Sequence, residues 1–200
     1  MDRAILARHG ESVRSVSGLV NGDPAVQAPL TSEGRRQALA LGQLLVDDDV
    51  DLVITSAFPR TVETARIAMQ GRGVPHVVVA DLDDLVFGVF ENGTLGAYRE
   101  WVGSHEPEEA PPGGESRSQS VRRWVRGFHT ILERPERLPL VVCHGMTIAY
   151  LLAALRGMPP GPRAVKVDYA RPHVMTREDL SRALELLSAW CTAPAWPVST

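Results

Sequence analysis

The run Arg3-Ala4-Ile5-Leu6-Ala7-Arg8-His9-Gly10-Glu11-Ser12 sets an apolar stretch of strand length directly against an arginine, a histidine and a glycine. Arg3 to Ala7 predicts a short buried strand, which Gly10 breaks. The arrangement returns at Pro139-Leu140-Val141-Val142-Cys143-His144-Gly145, where Pro139 to Cys143 predicts a second strand ending on a histidine. Between them, Asp51 to Thr55 reads as a strand and leads into Ser56-Ala57-Phe58-Pro59-Arg60-Thr61-Val62-Glu63-Thr64-Ala65. Here Ser56 is expected to cap a helix whose first turn holds Pro59 and Arg60. Val77 to Ala80 predicts a fourth strand.

Helices fill the intervals. Thr31 caps one that carries Ala38, Leu41, Leu44 and Leu45 at helical spacing, with Glu33 in its first turn and Asp47-Asp48-Asp49 after it. Val121, Trp124, Val125, Phe128, Ile131 and Leu132 form the clearest apolar stripe, and Arg117, Arg122, Arg123 and Arg126 are expected on its other side. Thr147 to Leu155 predicts a further helix. Thr176 followed by Asp179 suggests a capping box opening a last helix with Leu180, Ala183, Leu184 and Leu187 inward. Ser12 to Ala28 reads as loop, and 81–115 as an irregular, lid-like insertion in one domain spanning 1–200. Alternating strands and helices give the α/β class: a mainly parallel sheet with helices on both faces. Ligands of such sheets sit beyond the carboxyl ends of the strands, where His9, Arg60 and His144 would meet.

The whole chain limits the functions open to it. Two hundred residues suffice for one packed domain, and 44% hydrophobic with 22% charged residues fits a globular protein. The net charge of −3 argues against nucleic acid as a partner, so arginines that serve phosphate must be gathered locally. No apolar run reaches the ~20 residues of a membrane span, so no membrane role is expected. The start lacks the apolar core of a secretion signal, and Cys143 and Cys191 form neither a disulfide framework nor a metal pattern. The cytoplasm is the expected compartment, and a homodimer is kept open as the assembly.

The three words Arg8-His9-Gly10-Glu11-Ser12, Ser56 to Ala65 and Cys143-His144-Gly145, in this order and each in a fitting strand or helix context, resemble the active site of the histidine phosphatase superfamily, of phosphoglycerate-mutase-like fold. Gly113-Gly114-Glu115-Ser116, before the Trp124 helix, is similar to the family's opening of that helix, with Glu115 given a local capping or structural task. The resemblance covers residues 3 to about 157. It implies phosphomonoester hydrolysis of a small organic phosphate through a phosphohistidine on His9, without metal or other cofactor.

The chemistry agrees with the residues. An unprotonated imidazole is a nucleophile, and neighbouring arginines disfavour a second cation on His9. Arg8 and Arg60 can grip phosphate oxygens in pairs, Arg60 beside the free N–H groups of a helix start. His144 resembles the second family histidine, which contacts the phosphoryl group. Cys143 ends an apolar strand and reads as core, not as a thiol nucleophile. Ser15, Asn21, Gly22, Gly145 and Met146 are expected to contribute to substrate binding, Ser15 standing where the family often has Asn. The family's acid is usually Glu; alignment on Phe87-Gly88 brings Asp84 to that position, one methylene shorter, with Glu91 as fallback. As an acid, Asp84 should have its pKa raised by neighbouring anions. Met146 replaces a small residue and should make the wall more apolar.

Other chemistries lack their signatures. Six histidines include no HExxH or His-x-His spacing, and neither a G-x-S-x-G elbow nor a P-loop is present. Two alternatives remain: mutase-type phosphoryl transfer, against which stands the lid word Asp84-Leu85-Val86-Phe87-Gly88, and a non-catalytic phosphate- or phosphoprotein-binding module.

Overall fold

A computed structural model describes residues 1–197. Five strands form one sheet: β1 (Arg3–Arg8), β2 (Leu52–Thr55), β3 (His76–Val78), β4 (Pro139–Cys143) and β5 (Pro172–Thr176), in the order β3-β2-β4-β1-β5. β1, β2, β3 and β4 run parallel. β5, which the sequence reading lacks, is antiparallel to β1, with Ile5 opposite Val174. Its alternation is masked because Pro172 and His173 are only partly covered and Val174 is exposed at the sheet edge. β3 begins one residue earlier than expected and stops at Val78.

Seven helices join them among the described residues: α1 (Val13–Val16), α2 (Ser32–Leu44), α3 (Pro59–Ala68), α4 (Leu95–Gly103), α5 (Arg117–Leu132), α6 (Gly145–Ala154) and α7 (Arg177–Trp190). The strand alternation of period two divides the core. Ala4, Leu6, Leu52, Ile54, Val141 and Cys143 pack with the inner faces of α5, α6 and α7. Ile5, Ala7, Val53, Leu140 and Val142 pack with Leu41 of α2, Leu45 just past its end, and Ala65 and Ala68 of α3 on the opposite side. The stripe of α5 is buried as expected, with Val121, Phe128 and Ile131 wholly enclosed.

Several local expectations are corrected. The 12–28 loop contains α1, capped by Ser12, and the 81–115 segment contains α4 and two 3₁₀ turns, Ala80–Leu82 and Gly88–Phe90. Ser56 does not cap α3. Phe58 holds that position without a side-chain bond, and the Ser56 hydroxyl turns instead to Thr61 and His144. Thr176 caps α7 by accepting from the Asp179 N–H, but its hydroxyl, not its backbone, meets the Asp179 carboxylate, so the box is half formed. Arg117 does not share the exposed side of α5: it is 4% exposed.

Candidate active site

The parallel strands deliver the three sequence words to one edge. His9 leaves β1, Ser56 leaves β2 and His144 leaves β4, and the His9 N–H donates to the Cys143 carbonyl on the neighbouring strand at 3.0 Å. His9 and His144 face each other edge to face with ring centroids 5.5 Å apart.

The tautomer of His9 follows from its partners. Nδ1 lies 2.7 Å from the Gly10 carbonyl, which can only accept; Nε2 lies 3.2 Å from Nε of Arg60, which can only donate. The ring is therefore neutral, with its proton on Nδ1 and its lone pair on Nε2. Burial, followed by the positive charge of Arg60, the His144 ring and Arg8, keeps its pKa well below the ordinary 6.5. The Gly10 peptide is itself held: its N–H donates to Thr64 Oγ1 (2.9 Å), which donates to the Arg60 carbonyl (2.6 Å).

Arg60 is the centre of the cluster and is 4% exposed. Besides His9 it meets Asn21 Oδ1 at 2.8 Å, Asp84 Oδ2 at 3.0 Å and His144 Nδ1 at 3.3 Å. Asp84 thus reaches the site despite its short side chain. Its loop is drawn inward by α5: Arg123 donates to the Asp83 and Asp84 carbonyls, each at 2.9 Å, and Trp124 Nε1 to the Asp83 carbonyl at 2.8 Å. Glu115 holds Arg123 at 2.7 Å, so its structural task is to brace this arginine, while Ser116 and Gln119 form the capping box of α5.

The charge state of Asp84 corrects the expectation of a raised pKa. Burial alone would raise it, but contact with His144 and the Arg60 guanidinium outweighs burial, so the carboxyl is held below its usual range and ionised. His144 is 1% exposed and pushed down to about 4, by burial first and by Arg60 against the opposing pull of Asp84. Its Nε2 contacts Ser56 Oγ at 2.9 Å. It stands behind the cavity wall and supports Arg60 and Asp84 from the core side.

In front of this cluster opens a cavity of about 550 Å³. Arg8 lies on its wall with the guanidinium 3.8 Å above the Tyr169 ring, Nη1 on the Val167 carbonyl and Nε buried without a partner. A Cβ on Gly145 would sit 3.2 Å from Cδ and Nε of Arg8, so this glycine gives the arginine its room. Asn21, Ser15 and Met146 line the cavity, but Ser15 Oγ is engaged with the Ser12 backbone at the cap of α1. Gly22 does not line it; its N–H donates to both oxygens of Glu91, which also accepts from Phe87 N–H. This corrects Gly22 as a binding residue and removes Glu91 from the site: the pair instead ties the 12–28 and 81–115 segments together. Met146 is not a plainly apolar wall either, since its sulfur faces Arg117 Nη1 at 2.7 Å. Sequence reasoning missed Tyr169, Val167, Tyr98, Tyr150 and the buried state of Arg117. Among the described residues, no group of three or more His, Cys, Asp or Glu is placed to hold a metal ion.

Strand-end histidines, a helix-borne arginine and a carboxylate on a covering segment define a class of phosphate-handling site. The family model of the histidine phosphatase superfamily (branch 1) matches residues 4–189, and the chain belongs to that superfamily. The probable phosphoglycerate mutase GpmB of Yersinia enterocolitica is 31% identical over 95% of this chain and 90% of its own length. In structure, the chain is similar to the alpha-ribazole phosphatase of Shigella flexneri (TM-score 0.71, 29% identity, 86% of this chain and 89% of that one). It is also similar to a mycobacterial glucosyl-3-phosphoglycerate phosphatase (TM-score 0.73, 26% identity, 88% and 93%). No helix among the described residues is long and apolar enough to cross a membrane.

Proposed function

We propose that the protein is a metal-independent phosphomonoester hydrolase of small organic phosphates, working through a phosphohistidine on His9. The observation that carries this reading is the fixed tautomer: the Gly10 carbonyl accepts from Nδ1–H and leaves the Nε2 lone pair beside Arg60, on the wall of the cavity. The Nε2 lone pair attacks phosphorus as the ester P–O bond breaks. Arg60 and Arg8 balance the charge on the equatorial oxygens. The leaving oxygen takes a proton from Asp84. Water then attacks the phosphohistidine, Asp84 accepts its proton, the N–P bond breaks, and orthophosphate and neutral His9 result.

Asp84 must gain its proton with the substrate. A phosphate dianion competes for Arg60 and adds negative charge beside the carboxylate, and both changes raise its pKa. His144 acts here by positioning Arg60 and Asp84. The phosphatase neighbours favour hydrolysis; the mutase-named relatives keep phosphoryl transfer as a second reading. Rapid quenching into alkaline detergent with a ³²P-labelled ester tests the proposal. A phosphoenzyme that is acid-labile and base-stable is expected, absent from His9→Ala. Persistence of the label in His9→Ala, or activity lost in EDTA and restored by a divalent cation, overturns it. Primer-dependent mutase flux matching the rate of phosphate release would select the second reading.

A further inference from the structure

Arg117 opens α5, yet its side chain turns into the cavity instead of solvent. It is 4% exposed. Nη1 donates to Tyr150 Oη and Met146 Sδ, both at 2.7 Å, and Nε is buried with no partner. Its neighbours are neutral: the rings of Tyr98 and Tyr150 lie 5.8 and 5.9 Å from Cζ, and among the described residues no carboxylate pairs with it. A guanidinium does not deprotonate, and enclosing its charge is unfavourable unless an anion meets it.

The rest of the cavity offers no such anion. Its only acidic lining residue among those described is Asp84, which is already paired with Arg60. Four further cations, Arg14, Arg99, Arg163 and Lys166, line the wall and take part in no ion pair among the described residues. Positive charge therefore exceeds what one phosphate needs, and the most buried of the surplus is Arg117.

We propose that Arg117 anchors a second anion-binding position in this cavity, so that the preferred ester carries, besides the phosphate that is cleaved, a second oxyanion, carboxylate or phosphate. The role rests on the hydrolase reading for the word cleaved, but not for binding. Arg117 supplies a planar donor fork, and the Tyr98 and Met146 side chains wall the space beside it.

Calorimetric titration of the His9→Ala protein separates binding from turnover. Two matched pairs serve as probes. 3-Phosphoglycerate and glycerol 3-phosphate differ by a carboxylate in place of a hydroxymethyl group; fructose 1,6-bisphosphate and fructose 6-phosphate differ by a phosphate. The doubly anionic member of at least one pair should bind about tenfold to a hundredfold tighter. Which pair responds tells carboxylate from phosphate. Adding Arg117→Met should bring that ratio to within about twofold of one. Arg117→Gln, which keeps a donor for Tyr150, should do the same if the methionine variant does not fold. No preference in either pair, or a preference that survives neutralisation of Arg117, overturns the proposal; a purely structural arginine would lower the melting temperature and leave the ratios in place. Wild-type phosphate release is followed in parallel. Its absence with every ester overturns the hydrolase reading alone, and the binding ratios still judge Arg117.

Discussion

Arg60 and Arg117 are equally buried, at 4% exposure, and lie on the wall of the same cavity, but their surroundings are opposite. Arg60 is surrounded by acceptors: a carboxylate, an amide oxygen and the Nε2 of His9. Arg117 meets a phenol, a thioether and an orphaned Nε. A saturated guanidinium is a positioned tool whose geometry is already set. An unsaturated one has donors left for a ligand. The two arginines should therefore answer to different parts of a substrate, Arg60 to what all phosphate esters share and Arg117 to what distinguishes them.

On the proposed mechanism, loss of His9 marks the upper bound of what the Arg60 end contributes. His9→Ala should lower steady-state phosphate release by ~10⁴-fold or more, alike for every ester. Next is the acid. Asp84→Asn should depress hydrolysis of alkyl phosphates by ~10²–10⁴-fold, and that of p-nitrophenyl phosphate far less, because p-nitrophenolate needs little protonation. A uniform loss across leaving groups would show that Asp84 serves only to hold Arg60. Arg60→Ala should reduce kcat by ~10²–10³-fold across a panel of esters. If that loss instead varied with the substrate's second charge, the division between the two arginines would fail.

The pH dependence of stability sharpens the same contrast, since the Arg60 end contains two buried neutral histidines. Both have pKa values below the ordinary 6.5, His144 at about 4. The unfolded chain then binds more protons than the folded one, so these groups lower stability as pH falls below about 6.5, through a window extending to about 4. Chemical denaturation at pH 7.5, 6 and 5 should show a declining midpoint, and His144→Gln should flatten the decline; a midpoint that rises towards pH 5 would contradict the neutral histidines. The smallest effect is expected at the tie between the covering segments. A Cβ on Gly22 would collide with the Leu85 carbonyl and the Glu91 carboxylate, so Gly22→Ala should cost about 1–3 kcal/mol in urea unfolding.

The legible and illegible parts of the site fall on the same two sides. His9, Arg60 and His144 each follow a strand or open a helix within a short word, so local pattern and spacing brought them to one sheet edge. Asp84 was legible only through its register with Phe87-Gly88, and its charge was misjudged because Arg60, from the start of α3, and His144, from the end of β4, approach it across the fold. Arg117 looked like one more exposed arginine beside a helical stripe. What buries it is the meeting of Tyr98, Met146 and Tyr150 from two other helices, and the sequence carries no periodic trace of that meeting. β5 escaped for a related reason: at an edge, Met175 is its one fully buried residue, too little to show as alternation.

The inward gathering of cations also has a kinetic side. A chain of net charge −3 presents Arg14, Arg99, Arg163 and Lys166, besides the buried arginines, on the wall of a concave, low-dielectric cavity. Such walls focus field lines, so the mouth draws anions while the outer surface repels them. Encounter with a doubly charged ester should be faster than with a singly charged one and should slow as salt shortens the reach of the field. Under the proposed hydrolysis the same field would hold back orthophosphate as it departs, so that the feature that speeds arrival sets a floor on the residence time of the product.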